Sequence, residues 1–250
     1  MMRALLEAAR RTSPLILFLD FDGTLVPIQT DPETVRITAA RKRLLAKLAR
    51  RFPTAVVTGR SLRDIQSRTN LPGIAWAGNH GLEVLQGRVL WRHPGAEQTV
   101  PILQEVLRTT ERRLNHIPGL RFDDKGLSAS VHYRRAGAGR APEILRILRD
   151  VVPTGPGRLK VTRGKMVFEI RPAVRWDKGK AVRCLQARLD PQRRATPVYL
   201  GDDRTDEDAF RALAGRGLTV CIGDRRPTAA RYRLPDVAAV WRFLGSLLLL

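Results

Sequence analysis

Residues 15–25 read Leu-Ile-Leu-Phe-Leu-Asp-Phe-Asp-Gly-Thr-Leu. The run Leu15 to Leu19 is apolar at every position, with no alternation, as expected for a short strand buried on both faces of a parallel sheet. Asp20 and Asp22 follow at once, and acids at i and i+2 can face one site where the chain turns out of a sheet. The plainer reading is an ordinary turn, because Asp and Gly favour turns on backbone grounds alone. Working outward, the pattern predicts a helix over 3–11, a helix over 32–51, a strand over 54–57 ending in Thr58-Gly59-Arg60, and a helix capped by Ser61. A third strand over 74–77 leads into Gly78-Asn79-His80-Gly81. The alternation returns with a helix over 178–189, a strand over 197–200 ending in Gly201-Asp202-Asp203, a helix over 207–214, a strand over 218–222 and a helix over 237–247. Strands alternating with helices predict a doubly wound, mostly parallel α/β sheet with its polar residues at the carboxyl ends of the strands, where such sheets bind ligands.

Residues 82–171 have a different texture: a hairpin-like pair of runs around Gln86-Gly87, helices near 99–115 and 142–151, and strands near 127–133, 159–162 and 166–171. They read as an α+β insertion dividing a core made of 1–81 and 172–250. A chain of 250 residues has room for such a second domain. With 43% hydrophobic and 28% charged residues, the composition is that of a globular protein.

The net charge of +21 and a pI near 11.4 suit a polyanion partner. The basic residues are scattered, however, and aromatics are only 6% and not interleaved with them, so no specific nucleic-acid binding is expected. Cys184 and Cys221 have no metal-ligand or disulfide spacing. The apolar run near the N-terminus and the closing Leu247 to Leu250 are too short to span a bilayer, and no signal-peptide cleavage pattern is visible. A cytoplasmic location without membrane attachment is the expectation.

Asp20-Phe21-Asp22-Gly23-Thr24-Leu25 after an apolar strand resembles the first motif of the haloacid dehalogenase superfamily. That resemblance implies a phosphatase in which Asp20 attacks phosphorus to form an aspartyl-phosphate. Asp22 would protonate the leaving oxygen and then take a proton from water. Thr58, with the amides of Gly59 and Arg60, fits the second motif and would hold the phosphoryl group; a Thr-Gly pair after a strand is otherwise common. Lys178, in Asp177-Lys178-Gly179-Lys180, fits the third and would balance charge, although a Lys before Gly is usually solvated. Gly201-Asp202-Asp203-Arg204-Thr205-Asp206 fits the fourth. Packed carboxylates repel unless a cation joins them, and Mg²⁺ suits Asp20, Asp202 and the backbone carbonyl of Asp22, with Asp203 and Asp206 as secondary ligands or orienters.

The long gap between the second and third motifs is where this superfamily inserts a cap. Ala77-Gly78-Asn79-His80-Gly81, Lys125-Gly126-Leu127-Ser128, His132-Tyr133-Arg134, Gly164 to Pro172 and GDDRTDEDAF resemble trehalose-6-phosphate phosphatases over most of residues 14–245. The resemblance implies hydrolysis of trehalose 6-phosphate, a small phosphosugar, with contacts from Asp20, Phe21, Asp22, Gly59, Arg60, His80, Lys125, His132, Arg134, Lys165 and Glu169. Lys165 and Glu169 are four apart and would share one face of a strand; pairing with each other at the surface is the plainer account. A capped phosphatase for another sugar phosphate, of the sucrose or mannosylglycerate type, and a non-catalytic sugar-phosphate-binding regulatory domain are the alternatives.

Overall fold

In the computed structural model, which describes residues 1–12, 14–29, 34–69, 71–153, 155, 158–164, 166–224 and 227–250, the run Leu15–Leu19 forms strand β1. Helix α1 (Met2–Arg11) precedes it, and helix α2 (Ala39–Arg51), strand β2 (Thr54–Val57), helix α3 (Leu62–Thr69) and strand β3 (Ala75–Gly78) follow. The hairpin of β4 (Glu83–Gln86) and β5 (Val89–Arg92) leads into α4 (Pro94–Glu97), α5 (Val100–Leu114), β6 (Arg121–Asp124), β7 (Ala129–His132), α6 (Ala141–Val151), β8 (Leu159–Gly164) and β9 (Val167–Pro172). The chain ends with α7 (Lys178–Leu189), β10 (Thr196–Gly201), α8 (Asp206–Ala212), β11 (Leu218–Ile222), β12 (Tyr232–Leu234) and α9 (Val237–Leu247).

The chain divides into two units, one of residues 1–91 with 176–250 and one of residues 92–175. The first is built on an eight-stranded sheet in the order β12-β11-β10-β1-β2-β3-β4-β5. It is parallel from β12 to β3, and β4 runs antiparallel to β3. Every residue of β1 is buried because the sheet is covered on both faces. Leu15, Leu17 and Leu19 pack with Leu5 of α1, Leu45 of α2, Ile65 of α3 and Phe243 of α9. Ile16 and Phe18 point the other way, into a cluster with Val182 and Leu185 of α7 and Phe210 of α8. Burial of each such side chain contributes about 1.5–3 kcal/mol, and Leu17→Ala would cost about 2–5 kcal/mol. The sheet is therefore doubly wound, as the sequence predicts.

The second unit carries a four-stranded antiparallel sheet in the order β6-β7-β9-β8. Alternation sends Ala129, Val131, Phe168 and Ile170 to one face, where they pack with Leu103 and Val106 of α5 and Ile144 and Leu148 of α6.

Several element boundaries differ from the sequence expectation. The hairpin of β4 and β5 belongs to the edge of the large sheet and to the first unit, not to the inserted segment, because Ala77 pairs with Val84 and Gly78 with Glu83. Helix α2 starts at Ala39 rather than near 32, since Thr38 is extended and its side chain accepts from the Arg41 amide as a cap; residues 30–33 lie outside the described residues. Strands β6 and β12 were not foreseen. Among the described residues, no helix is long and apolar enough to cross a membrane.

Candidate active site

β1 is flanked by β2 and β10, so the residues that leave these three strands at their carboxyl ends meet. Asp20 ends β1, and its amide donates to Leu200 O at 2.9 Å, continuing the ladder with β10 one residue past the strand. Gly201 ends β10 and delivers Asp202. Lys178 is the first residue of α7, which is capped by Asp177, whose side chain accepts from the Lys180 amide. This start aims the Lys178 ammonium into the sheet mouth, where Nζ donates to Asp20 Oδ1 and to Asp206 Oδ1, both at 2.7 Å. Only 2% of the Lys178 side chain is exposed.

Asp206 accepts four hydrogen bonds. Lys178 and the Tyr199 hydroxyl donate to Oδ1, and the amides of Asp202 and Asp203 donate to Oδ2. A carboxylate saturated in this way orients its neighbours and offers little to a further ligand. Asp20 and Asp202 are the better metal ligands. The cluster places one carboxylate oxygen from each of Asp20, Asp202 and Asp206 within 4.8 Å of one another, with Lys178 as the cation held among them.

The electrostatics reflect that imbalance. Burial lifts the Asp20 carboxyl well above the usual carboxylate range; Lys178 opposes the shift, and Asp206 and Asp202 add to it. Asp202 is pushed up to about 7, first by burial and then by Asp206. Burial would lower the Lys178 ammonium, but Asp20 and Asp206 raise it above the ordinary lysine value. Hard oxygen donors and excess buried negative charge fit a divalent cation such as Mg²⁺. Asp203, expected as a secondary ligand or an orienter, is exposed and outside the cluster.

Gly23 permits this proximity. Its φ is +85°, and a Cβ there would collide with the Asp202 carboxylate. The turn closes through Gly23 N to Val26 O at 2.7 Å, and Thr24 Oγ1 donates to Asp202 Oδ1 at 3.4 Å. Asp22 is 37% exposed and is gripped by Arg60, whose Nε and Nη2 donate to its two oxygens at 2.7 Å each. The Phe21 side chain is fully buried in the core with Arg60 over its ring, so any substrate contact is left to its backbone.

Thr58 is 1% exposed, and its Oγ1 accepts from the Arg60 amide at 3.2 Å. The turn after β3 is stapled to it. His80 N donates to Thr58 O and Asn79 N to Arg60 O, while Asn79 and His80 adopt φ of 51° and 57°. Left-handed non-glycine residues cost about 1–3 kcal/mol each and persist where the surroundings over-determine them. Here Glu83 Oε1 accepts from both Asn79 Nδ2 and the Leu62 amide, and the His80 ring occupies the space that a Cβ on Gly59 would need.

In the second unit, His132 and Glu169 lie on the sheet face opposite its core, and Lys125 reaches Glu169 from the turn after β6. Lys125 Nζ is 3.4 Å from Glu169 Oε1. Register pairs Glu169 with Ser130, and Ser130 with Asp123, while His132 is opposite Arg121. His132 is lowered to about 4, by burial first and then by Lys125 and Arg121. Arg134 is exposed in the turn beyond β7. Lys165 lies outside the described residues, so its expected partnership with Glu169 has no structural account.

The sequence reading missed Tyr199, Glu83, Asp64 and Arg68. The signals were faint: a phenol inside an apolar strand, an acid beside one, and an Arg-Asp-Arg spacing of four across residues 60–68.

Comparison with known proteins agrees with this geometry. The family described as Trehalose-phosphatase matches residues 18–238, a span containing Asp20, Thr58, Lys178 and Asp202. Trehalose-phosphate phosphatase B of Arabidopsis thaliana is 35% identical over 255 residues, covering 96% of this chain and 67% of its own. A trehalose-phosphate phosphatase of Mycobacterium marinum is 38% identical over 239 residues, covering 92% of this chain and 60% of its own. The present chain thus spans three fifths to two thirds of these relatives' lengths. A solved structure of a trehalose-6-phosphate phosphatase related protein, 30% identical, superposes with a TM-score of 0.79 over 94% of this chain and 97% of the other. The chain belongs to the trehalose-phosphatase family, whose members are phosphoric monoester hydrolases.

Proposed function

We propose that this protein hydrolyses trehalose 6-phosphate to trehalose and inorganic phosphate, with Mg²⁺, through a phosphate ester on Asp20. The observation that carries the reading is the Asp20 carboxylate at the mouth of β1, held by Lys178 beside Asp202. In the first displacement an Asp20 oxygen bonds to phosphorus as the bond to the sugar oxygen breaks, and Asp22 gives that oxygen a proton. In the second, water attacks the aspartyl-phosphate, Asp22 takes its proton, and Asp20 leaves as a carboxylate. Thr58 keeps its hydroxyl hydrogen for a phosphoryl oxygen, since Oγ1 is an acceptor toward the Arg60 amide. Lys178 holds Asp20 ionised and oriented despite its burial.

Asp20, Asp202 and the backbone carbonyl of Asp22 would hold the Mg²⁺, which when bound neutralises the carboxylates and polarises the phosphoryl group. Glu169 and Lys125, together with His132, Arg134 and Lys165, are assigned to the sugar hydroxyls. Free Cys184 and Cys221 agree with a cytoplasmic setting. Retention of Asp20, Asp22, Lys178 and Asp202 favours an enzyme over a silent binding module.

The test is phosphate release by the purified chain with Mg²⁺ on trehalose 6-phosphate and on other disaccharide phosphates. Trehalose 6-phosphate should be preferred, chelation should abolish turnover and Mg²⁺ should restore it. Rapid quenching should trap labelled phosphate on the wild type and not on Asp20→Asn. Steady turnover by Asp20→Asn would remove the mechanism, and full activity after exhaustive chelation would remove the metal.

A further inference from the structure

Asp64 and Arg68 lie one turn apart on α3, and Arg60 stands two residues before that helix begins, four residues ahead of Asp64. Asp64 is the shared partner. Its Oδ2 accepts from Arg60 Nη1 at 2.8 Å, both its oxygens accept from Arg68 Nε at 2.8 Å, and Oδ1 also accepts from Arg68 Nη2 at 2.5 Å. Arg68 is 7% exposed and anchored at its far end by Nη1 donating to Val35 O at 3.3 Å. The other end of the ladder is the fork of Arg60 Nε and Nη2 on Asp22.

The geometry points to Asp64 as a positioning residue for catalysis, one that fixes the Arg60 guanidinium and through it the Asp22 carboxylate. This rests on the reading of Asp22 as the proton donor. The guanidinium is planar, so a bond at Nη1 sets the direction in which Nε and Nη2 point. Phe21 lies under the same guanidinium, 5.6 Å from its ring centroid, and limits its tilt. Asp22 itself sits on a turn after β1 with more than a third of its side chain exposed, so Arg60 is what locates its two oxygens. Without Asp64, Arg60 Nη1 would lose the carboxylate that it shares with Arg68, and the guanidinium would be free to rotate about its contacts with Asp22. Burial alone would raise the Asp64 carboxyl, yet hydrogen bonds from Arg68 and Arg60 hold it below the ordinary carboxylate value, in keeping with a permanent charge at this position.

A proton donor matters in proportion to the basicity of the leaving group. The test compares kcat/KM, which reports phosphoryl transfer to Asp20 and not the later hydrolysis, across trehalose 6-phosphate, phenyl phosphate and p-nitrophenyl phosphate. Asp64→Asn should lower kcat/KM about ten- to a hundredfold on trehalose 6-phosphate and less than about threefold on p-nitrophenyl phosphate, steepening the dependence on leaving-group basicity. Asp64→Glu should recover much of the loss. Arg60→Lys keeps the charge but loses the fork; it should steepen the same dependence, and it carries the test if Asp64→Asn does not fold. Equal losses on all three esters, or no loss on any, would overturn the role of Asp64 alone. A wild type that hydrolyses none of them, or an Asp20→Asn variant that still does, would overturn the catalytic reading and this inference with it.

Discussion

In the first unit, Lys178 has 2% of its side chain exposed and lies 2.7 Å from both Asp20 and Asp206, whereas in the second, Lys125 and Glu169 are 12% and 20% exposed and 3.4 Å apart. The first cluster is assembled from the ends of two parallel strands and the starts of two helices. Its central carboxylate, Asp206, has both oxygens saturated by hydrogen bonds. The second lies on the open face of a small antiparallel sheet whose other face is packed by α5 and α6. A charge deep in low dielectric acts strongly and tolerates little change, while a pair nearer the surface is weakened by solvent and can be retuned at smaller cost to the fold. That contrast agrees with the proposed division, with chemistry in the first unit and choice of sugar in the second.

The largest effect that separates the two clusters is expected from Lys178→Met. Removing the cation leaves Asp20 and Asp206 buried together, which costs about 3–5 kcal/mol of stability. Turnover should fall at least about a thousandfold on every phosphate ester, because the loss falls on the transferred group. Steady-state kinetics on trehalose 6-phosphate and p-nitrophenyl phosphate, with melting curves, check both parts. A loss confined to the sugar substrate would erase the proposed division.

Glu169→Ala should act in the opposite way. Loss of a hydrogen bond from a charged group is worth about 1.5–3 kcal/mol, or roughly ten- to a hundredfold in kcat/KM. The drop is expected on trehalose 6-phosphate, with p-nitrophenyl phosphate nearly unaffected. Equal losses on both would show that Glu169 shapes the fold instead of reading the sugar.

The smallest effect concerns His132, lowered from its ordinary 6.5 to about 4 by burial and by Lys125 and Arg121, against the opposing pull of Asp123 and Glu169. Between those values the unfolded chain binds more protons than the folded one, so stability is full above about pH 6.5 and is lost as pH falls toward 4. The contribution is about 2 kcal/mol after allowing for partial exposure. The stability difference between wild type and His132→Asn should therefore shift against the wild type by about 2 kcal/mol as pH falls from 7 to 4.5. A constant difference across that range would show that the histidine is not held neutral by this face.

Much of the core was legible in the residue order because local chemistry and tertiary context agree there. A run of five apolar residues has few places to go except a strand covered on both sides, and the acids after it must leave the sheet at its ligand-binding end. Elements whose stability comes from a neighbour were less legible. β6, Arg-Phe-Asp-Asp, has little intrinsic strand character and is a strand because Arg121 to Asp124 pair with Ala129 to His132. β12 has three residues and exists only beside β11. The β4–β5 hairpin is recognisable as a hairpin from Gln86-Gly87, but its membership of the large sheet depends on pairing with β3, a choice that no local pattern encodes.

For the site, the sequence by itself determined which residue types stand at the strand ends: Asp20 and Asp22, Thr58 and Asp202, with Lys178 opening a helix. It did so because those positions interrupt apolar runs that hydrophobic burial alone would have continued. Only the tertiary structure decided their roles toward one another. It made Asp206 an orienter saturated with hydrogen bonds, left Asp203 in solvent, buried Phe21 beneath Arg60, and joined Asp22 to Arg68 through Arg60 and Asp64. Hydrogen bonding and desolvation depend on distances of a few ångströms between residues up to 186 positions apart, such as Asp20 and Asp206 bridged by Lys178, and those distances are set by how the sheet and helices pack.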